Sequence, residues 1–247
     1  MKKLFFLLLM GLTLSLQAQD PEIWQTYRMK AKQGQSDAFE KAAAKKNKLF
    51  NNTPENAIIT YQVMDGKDQG MYERIVGYKD WDFYNDESKN EKEYAYWAEN
   101  VAPFVEESTG WTVWFRAKEA CHNWNPESKP AKHLRRMVRI VKPGGEAAFW
   151  NVHFRMKQVY EKYGWTGVKG LFRVASGGNT NMFIIVSPFD TFGEESKFEK
   201  SDKNLAALYN EMFGYQAWQT DLKAYNEALV DWGRSEERLT LVKSHLV

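Results

Sequence analysis

The feature that most constrains this chain is an internal repeat. Residues 28–80 align without a gap with residues 138–190 when the sequence is shifted by 110 positions. The matched pairs are Lys32 with Lys142, Gly34 with Gly144, Ala38 and Phe39 with Ala148 and Phe149, Ile75 and Val76 with Ile185 and Val186, and Asp80 with Asp190. They fall at turns, at helix starts and inside strands. Self-similarity at one spacing indicates two copies of the same structural unit.

Each half predicts the same order of elements, β-α-β-β-α-β. In the first half these are a strand over 23–32, a helix with Ser36 as N-cap and Phe50 near its end, strands over 57–64 and 71–78, a helix with Tyr94, Trp97, Val101 and Val105 on one face, and a strand over 111–117. In the second half they are a strand over 133–142, a helix around His153, strands over 168–175 and 182–188, a long helical region from Leu205 to Trp232, and a strand over 238–242. We expect Pro103 to kink or shorten the second helix.

This order is that of the ferredoxin-like fold. A four-stranded antiparallel sheet with both helices on one face leaves its other face apolar, so it needs a partner, and the second half supplies one. The chain therefore resembles the dimeric α+β barrel superfamily, in which two such sheets pack or close together. We expect an α+β fold of two tandem ferredoxin-like halves, residues 20–120 and 133–247, joined by a linker over 121–132 and forming an intrachain dimeric α+β barrel.

The resemblance implies several activities. Members of the superfamily include monooxygenases that attack aromatic substrates, haem-degrading enzymes, chlorite dismutase-like haem proteins and binding proteins, so the fold does not decide the function. In haem-binding members a histidine holds the cofactor between a helix and the sheet, and His153 is the candidate for that role. The alternative is a core histidine that makes one buried hydrogen bond. Haem is thus the cofactor considered, and no other metal is expected because the histidines lack the spacing of local metal sites.

Residues 1–19 have the order of a secretory signal peptide: Lys2 and Lys3, an apolar run over 4–16, and the polar residues 17–19. We expect this leader to be removed and the mature chain to be periplasmic or secreted. Beyond the leader, no segment approaches the roughly 18 apolar residues of a membrane span, so no integral membrane segment is expected.

Without Lys2 and Lys3, basic and acidic side chains are in balance. A nucleic-acid partner is therefore not expected, because such proteins carry a basic face. Cys121 is the one cysteine, so the sequence allows no intrachain disulfide.

Aromatic residues and arginines of the strands are candidates for binding a ligand. Strand aromatics form core in most cases, yet rings at these positions also line apolar pockets. A strand arginine that points inward needs an acceptor, either a carboxylate such as that of Glu73 or an anionic ligand, whereas one at an edge is exposed. The candidate ligand-binding residues are His153, Trp150, Arg173, Tyr61, Arg74 and Trp24.

Three functions remain open. The first is an extracytoplasmic protein that holds a small apolar or aromatic molecule, with no catalytic residue assigned. The second is a haem-binding or cofactor-free monooxygenase-type enzyme. The third is a structural or assembly protein that associates through its aromatic surface, for example as a homo-oligomer.

Overall fold

A computed structural model of the chain describes residues 21–85, 91–194 and 204–245, so the predicted leader lies outside the described residues. The strands are β1 (Ile23–Ala31), β2 (Ile59–Val63), β3 (Tyr72–Lys79), β4 (Val105–Ser108), β5 (Thr112–Arg116), β6 (His133–Val141), β7 (Gly170–Ser176), β8 (Met182–Phe189) and β9 (Leu229–Leu241). The α-helices are α1 (Ser36–Phe50), α2 (Glu91–Asn100), α3 (Glu146–Lys162), α4 (Leu205–Phe213) and α5 (Ala217–Ala228). Among the described residues, no helix is long and apolar enough to cross a membrane.

Eight of the strands close into an antiparallel barrel. Their order is β3-β2-β9-β6-β8-β7-β5-β1, and β1 pairs with β3 to complete the ring. Strand β4 is not part of this ring. It pairs with Met29–Ala31 at the end of β1, whereas β5 pairs with the start of β1. Two pairings, β2 with β9 and β5 with β7, join the first half of the chain to the second. The fold is therefore α+β with a closed barrel.

The element bounds keep the spacing of the sequence repeat. Strands β1 and β6 start 110 residues apart, and so do β3 and β8. The turn before the first helix of each half is the same: Gly34 and Gly144 have φ of 74° and 85°, values that favour glycine. Phe39 and Phe149 lie at matching positions of α1 and α3, and both are fully buried.

The apolar core has an inner and an outer part. The inner cluster draws residues from β1, β5, β7 and β8 and contacts β3 and β6, which places it inside the barrel. Its buried members are Trp24, Trp114, Phe172, Val174, Ile184 and Val186. The outer clusters lie between the barrel and the helices, around Phe39 of α1 and Phe149 of α3. Each strand alternates between the two sides, as a period-two pattern requires.

Three predicted boundaries are wrong. Ser36 is the first helical residue, and the N-cap is Gln35, which makes no side-chain capping bond. Helix α2 ends at Asn100, because Pro103 has no N–H to continue the helical bonds, so the expected shortening is confirmed. The placement of Val105 on the helical face is wrong, since Val105 begins strand β4.

The third wrong boundary lies in the second half. The expected long helix breaks at Gly214, whose φ is 105°, and gives way at Leu229 to strand β9, well before the expected start at Arg238. Trp232 belongs to that strand and is fully exposed, so it does not extend the helical apolar face.

Candidate functional site

A cavity of about 960 Å³ lies at one mouth of the barrel, beneath the linker. Its inner wall comes from side chains that point into the barrel, which are Trp24, Tyr61, Ile75 and Leu134. Its outer wall includes linker residues between Asn123 and Ala131 and the loop over 165–168 that follows α3. The two halves and the linker thus enclose the cavity together.

Four aromatic rings pack together at the inner end of the cavity. The Trp24 ring lies 4.5 Å from Tyr78, 5.8 Å from Trp124 and 5.3 Å from Phe172, measured between ring centroids. The indole Nε1 of Trp124 donates a hydrogen bond of 3.0 Å to the Tyr78 hydroxyl. Trp124 therefore packs the linker against the barrel, and its ring covers this end of the barrel interior.

Two glycines make room for this aromatic cluster. A Cβ atom on Gly77 would lie 2.6 Å from the Trp24 ring, and one on Gly170 would lie 2.5 Å from the Trp124 ring. Both distances are far inside van der Waals contact, so any larger residue would displace an indole. The shape of the inner cavity wall thus depends on glycine at these positions.

Backbone strain also concentrates at the cavity. Four non-glycine residues in the described part of the chain have positive φ, and two of them, Tyr78 with φ 57° and Asn123 with φ 51°, line the cavity. Asn123 is held in place because its Nδ2 donates to the carbonyl oxygens of Trp165 and Gly167, both at 3.2 Å. Strained residues of this kind cluster at ligand clamps, where the surrounding contacts maintain them.

Polar and charged side chains also line the cavity. The Tyr61 hydroxyl donates to the Ala131 carbonyl oxygen at 2.9 Å and so fastens the linker, and burial raises the pKa of Tyr61 above its ordinary value. Lys129, Arg135 and Asp190 stand among the lining residues on the linker side and strand ends. In the described part of the chain, no three His, Cys, Asp or Glu residues are grouped to hold a metal ion. The arrangement suits an apolar, ring-shaped molecule with a small polar edge.

The structure brings two of the six candidate residues together, since Trp24 and Tyr61 both line the cavity. Trp150 and His153 pack outside the barrel, in the core between α3 and the sheet. Arg173 lies over the Phe183 ring at 5.8 Å and donates to the Thr180 carbonyl oxygen at 3.0 Å.

Arg74 lies beneath α1 and is fully buried, so the alternative of an exposed edge arginine is wrong for this residue. The acceptor role that we considered for Glu73 is real, but it serves other arginines, Arg28 and Arg136.

No protein-family model matches the chain, and no curated protein matches its sequence. Solved structures do match its fold. A candidate monooxygenase from Fusobacterium nucleatum has a TM-score of 0.60 and 13% identity, covering 91% of this chain and 94% of its own. A candidate monooxygenase from Lactobacillus acidophilus has a TM-score of 0.57 and 10% identity, with coverage of 90% and 94%. A candidate chlorite dismutase has a TM-score of 0.53 and 9% identity, with coverage of 91% and 96%.

These structures share the closed barrel and its helices over nearly the whole chain. The chain has the fold of the dimeric α+β barrels. At these identities the likeness concerns the fold alone, so the function has to be argued from the residues of this barrel.

The haem that the superfamily suggests does not fit His153 of this α+β barrel. The His153 ring is packed against Phe149 at 4.5 Å and Tyr225 at 5.7 Å, and it does not line the cavity. Lys169 Nζ lies 3.1 Å from His153 Nδ1. Burial lowers the pKa of Lys169 to about 8, so the amine remains charged at neutral pH and donates to Nδ1.

The protonation of His153 follows from that bond. Burial, and then the charge of Lys169, holds the pKa of His153 well below its ordinary value, so the ring is neutral. Because Nδ1 accepts from Lys169, the ring proton resides on Nε2, which is the nitrogen that an iron atom would need bare. Histidines that bind metals normally donate from the second nitrogen, which is the reverse arrangement.

The opposite part of the barrel interior holds a buried ionic network. Arg28 contacts Glu73 at 2.8 Å, Glu237 at 2.6 Å and also Asp68, while Arg136 contacts Glu237 at 2.6 Å and both oxygens of Glu73. Two of these contacts follow strand pairing, because Arg28 is directly opposite Glu73 and Arg136 directly opposite Glu237. The network joins the two halves of the chain. It occupies the part of the barrel interior that the aromatic cluster does not fill.

Sequence reasoning missed the two residues that shape the cavity most, Trp124 and Tyr78. A signal existed for Trp124, since a tryptophan within a proline-containing linker has no strand or helix face to join and must pack elsewhere. No comparable signal marked Tyr78, whose positive φ and position follow from the tertiary structure.

Proposed function

We propose that this dimeric α+β barrel binds a small apolar or aromatic molecule in the cavity beneath the linker. The observation that carries the proposal is the aromatic wall of Trp24, Tyr78 and Trp124, which Phe172 supports from behind and for which Gly77 and Gly170 leave room. Rings and apolar side chains favour a planar apolar ligand, and strained Tyr78 and Asn123 indicate a wall that is held ready for it.

Calorimetric titration with 2-naphthol, a neutral two-ring probe, tests this proposal. Leu134 lines the cavity and is half-buried, so Leu134→Trp fills the space with a larger ring. Leu49 is 53% exposed on α1 and does not line the cavity, so Leu49→Trp is the matched control. We expect the wild type and Leu49→Trp to bind alike and Leu134→Trp to bind at least about tenfold more weakly, which is about 1.4 kcal/mol. Equal affinity of all three proteins would contradict the proposal.

A second candidate is oxidation of the bound ring by O₂ without a cofactor. Its support is that two structures with the same fold are described as candidate monooxygenases, and a third, at a TM-score of 0.50, as an anthrone oxidase-like protein. For a substrate such as anthrone, the ring CH₂ and O₂ would yield a carbonyl and water, with the substrate as the reductant. Incubation with ¹⁸O₂ should place one labelled oxygen in the product carbonyl, and Leu134→Trp should abolish the excess over the protein-free rate. A rate equal to that of the protein-free control would exclude this activity.

We also propose that the chain is exported and consists of two ferredoxin-like units, residues 20–120 and 133–247. Export rests on the leader over residues 1–19, and the two units rest on the 110-residue spacing of β1 and β6. Mass spectrometry of the protein isolated from a secreting host should show a mature N-terminus near residue 20. An intact leader on protein recovered from the cytoplasm would contradict export.

A further inference from the structure

Beneath α1, on the outer face of the barrel, several buried polar atoms lie together without partners. They are Nε and Nη1 of Arg74, Oγ1 of Thr60 and Nδ1 of His245. Thr60 and Arg74 are fully buried, and His245 is 1% exposed. Among the described residues, most of the side-chain atoms that are buried without a hydrogen-bond partner belong to this cluster. Such atoms are rare in folded proteins, and a concentration of them is typical of a place that binds a water molecule or an ion.

Strand pairing and one asparagine bring the three residues together. Thr60 of β2 lies directly opposite Arg74 of β3, so both side chains point to the same face. The Nη2 atom of Arg74 donates to Asn47 Oδ1 at 2.7 Å, and Asn47 Nδ2 donates to the carbonyl oxygen of His245 at 3.1 Å. Asn47 therefore satisfies one guanidinium nitrogen. The Tyr27 side chain, directly opposite Arg74 on β1, also interacts with the guanidinium, but neither Nε nor Nη1 makes a hydrogen bond of normal geometry.

The charge of Arg74 is not balanced by an acid among the described residues. The Glu93 carboxylate pairs with Lys46, a neighbour of Arg74 that is itself 3% exposed. The Trp97 ring lies 5.0 Å from the guanidinium carbon and compensates in part. A buried cation without a counter-charge is strongly destabilising, and a water molecule would satisfy its hydrogen bonds but not its charge.

The surrounding groups respond to this positive charge. Burial, and next the charge of Arg74, lowers the pKa of Lys46 to about 8. The same two causes lower the pKa of His245 to about 4, so its ring is neutral. Its Nε2 donates to the Glu40 carbonyl oxygen at 2.9 Å, which leaves Nδ1 as an acceptor. The cluster thus offers hydrogen-bond donors from Arg74 and Thr60, which suit an anion. It also offers one acceptor, Nδ1 of His245, which suits a water molecule bound beside that anion.

We propose that Arg74 and Thr60 bind a small monovalent anion, of the size of chloride or formate, beneath α1. The site is distinct from the ligand cavity, although it adjoins it: Asn47 also donates to the Ile58 carbonyl oxygen at 3.3 Å, and both Ile58 and His245 line the cavity. The anion enters from that side. The described part of the second half has no arginine at the equivalent position: Ile185 lies opposite Met137 there, as Arg74 lies opposite Tyr27 in the first half.

Crystals soaked in bromide provide the direct test. We expect an anomalous peak within about 3.5 Å of Arg74 Nε or Nη1, the range of a charge-assisted hydrogen bond to a halide. If formate occupies the site, the bromide peak is absent and flat three-atom density lies there in crystals grown with formate. Water in both crystals, without either anion, overturns the proposal.

Thermal unfolding at constant ionic strength tests the site in solution. Chloride or formate is exchanged for a bulky sulfonate that is too large to enter. The unfolding temperature of the wild type should rise with the small anion that binds, because a ligand that binds only the folded state stabilises it. Thr60→Val, which keeps the shape of the side chain, should require at least about tenfold more anion, and Arg74→Met should show no dependence.

Arg173→Met is the control, because Arg173 lies on β7 away from the cluster, and it should behave as the wild type does. If Arg74→Met does not fold, Thr60→Val and the crystals still decide the question. A bromide peak without any anion-dependent stability would represent binding at crystal concentration only and would also overturn the proposal. Because 2-naphthol binding is measured separately, failure here leaves the proposed function of the cavity untouched.

Discussion

Arg136 on β6 binds both carboxylate oxygens of Glu73 on β3, with its Nη2 atom 2.6 Å from Oε2. The two residues are not on paired strands, so the contact crosses the barrel interior and ties the second half of the chain to the first. Glu73 also accepts from Arg28 at 2.8 Å, and its side chain is only 2% exposed. A carboxylate so enclosed has no access to water if its partners are lost.

The first prediction concerns this carboxylate. Glu73→Gln should lower the free energy of unfolding by about 3–5 kcal/mol, because it leaves two buried arginines short of their counter-charge. Urea denaturation measures the change. Glu106→Gln is the control, since Glu106 pairs with Lys30 while both side chains are about half exposed, and it should cost less than about 1 kcal/mol. Equal costs for the two variants would show that the network contributes no more than a surface ion pair.

The second prediction concerns the wall of the cavity. Gly77→Ala places a methyl group 2.6 Å from the Trp24 ring, so the indole has to move. We expect a loss of about 1–3 kcal/mol in unfolding free energy and an altered near-ultraviolet circular dichroism spectrum. A methyl group on Gly110 meets nothing within 4 Å, so Gly110→Ala should change stability by less than about 0.5 kcal/mol. An unchanged tryptophan spectrum in Gly77→Ala would contradict the packing described.

The third prediction concerns pH. His245 has a pKa of about 4 in the folded chain against an ordinary value of 6.5, because burial and Arg74 disfavour its charge. Between these values the unfolded chain binds the proton and the folded chain does not, so stability is lost as the pH falls from about 6.5 towards 4. His245 contributes about 3 kcal/mol to this loss, at 1.36 kcal/mol for each pKa unit.

Comparison with His245→Gln isolates that contribution from the carboxylates that also titrate near pH 4. Glutamine keeps a donor for the Glu40 carbonyl oxygen but does not titrate. The unfolding free energy of the variant should therefore fall less steeply than that of the wild type over this range. Parallel curves from urea denaturation at several pH values would refute the assignment.

The fourth prediction concerns haem. Because His153 Nε2 carries the ring proton and the ring is enclosed by Phe149 and Tyr225, haemin added to the folded protein should not bind through this residue. The absorption spectrum in the Soret region should be the same for the wild type and His153→Ala. A Soret shift that is present in the wild type and lost in the variant would show that the α3 core opens to admit the cofactor.

Much of the fold could be predicted because its signals are local. The strand bounds around β1, β3, β6 and β8 follow from period-two patterns, and the turns at Gly34 and Gly144 follow from a backbone conformation that glycine favours. The start of β9 was missed because its first residues continue the apolar spacing of α5, and only its pairing with β6 shows it to be a strand.

The candidate site was predicted less well because it depends on distant contacts. Trp24 and Tyr61 are in the cavity, but Arg74 and His153 are buried against helices on the outer side of the barrel. Consecutive residues of a strand face opposite sides of the sheet. Glu73 and Arg74 are neighbours in the chain, yet Glu73 lies in the ionic network inside the barrel and Arg74 lies in the polar cluster beneath α1. Pattern alone does not show which of the two sides is the interior.

The amino-acid sequence by itself determined the order of the eight barrel strands and the alternation along each strand, because these depend on residues a few positions apart, and its internal repeat determined the 110-residue spacing. Only the tertiary structure decided that Glu73 meets Arg136 and that Trp124 caps the barrel. Those contacts exist because β2 pairs with β9 and β5 with β7, and closure of the ring brings together side chains that no local pattern relates.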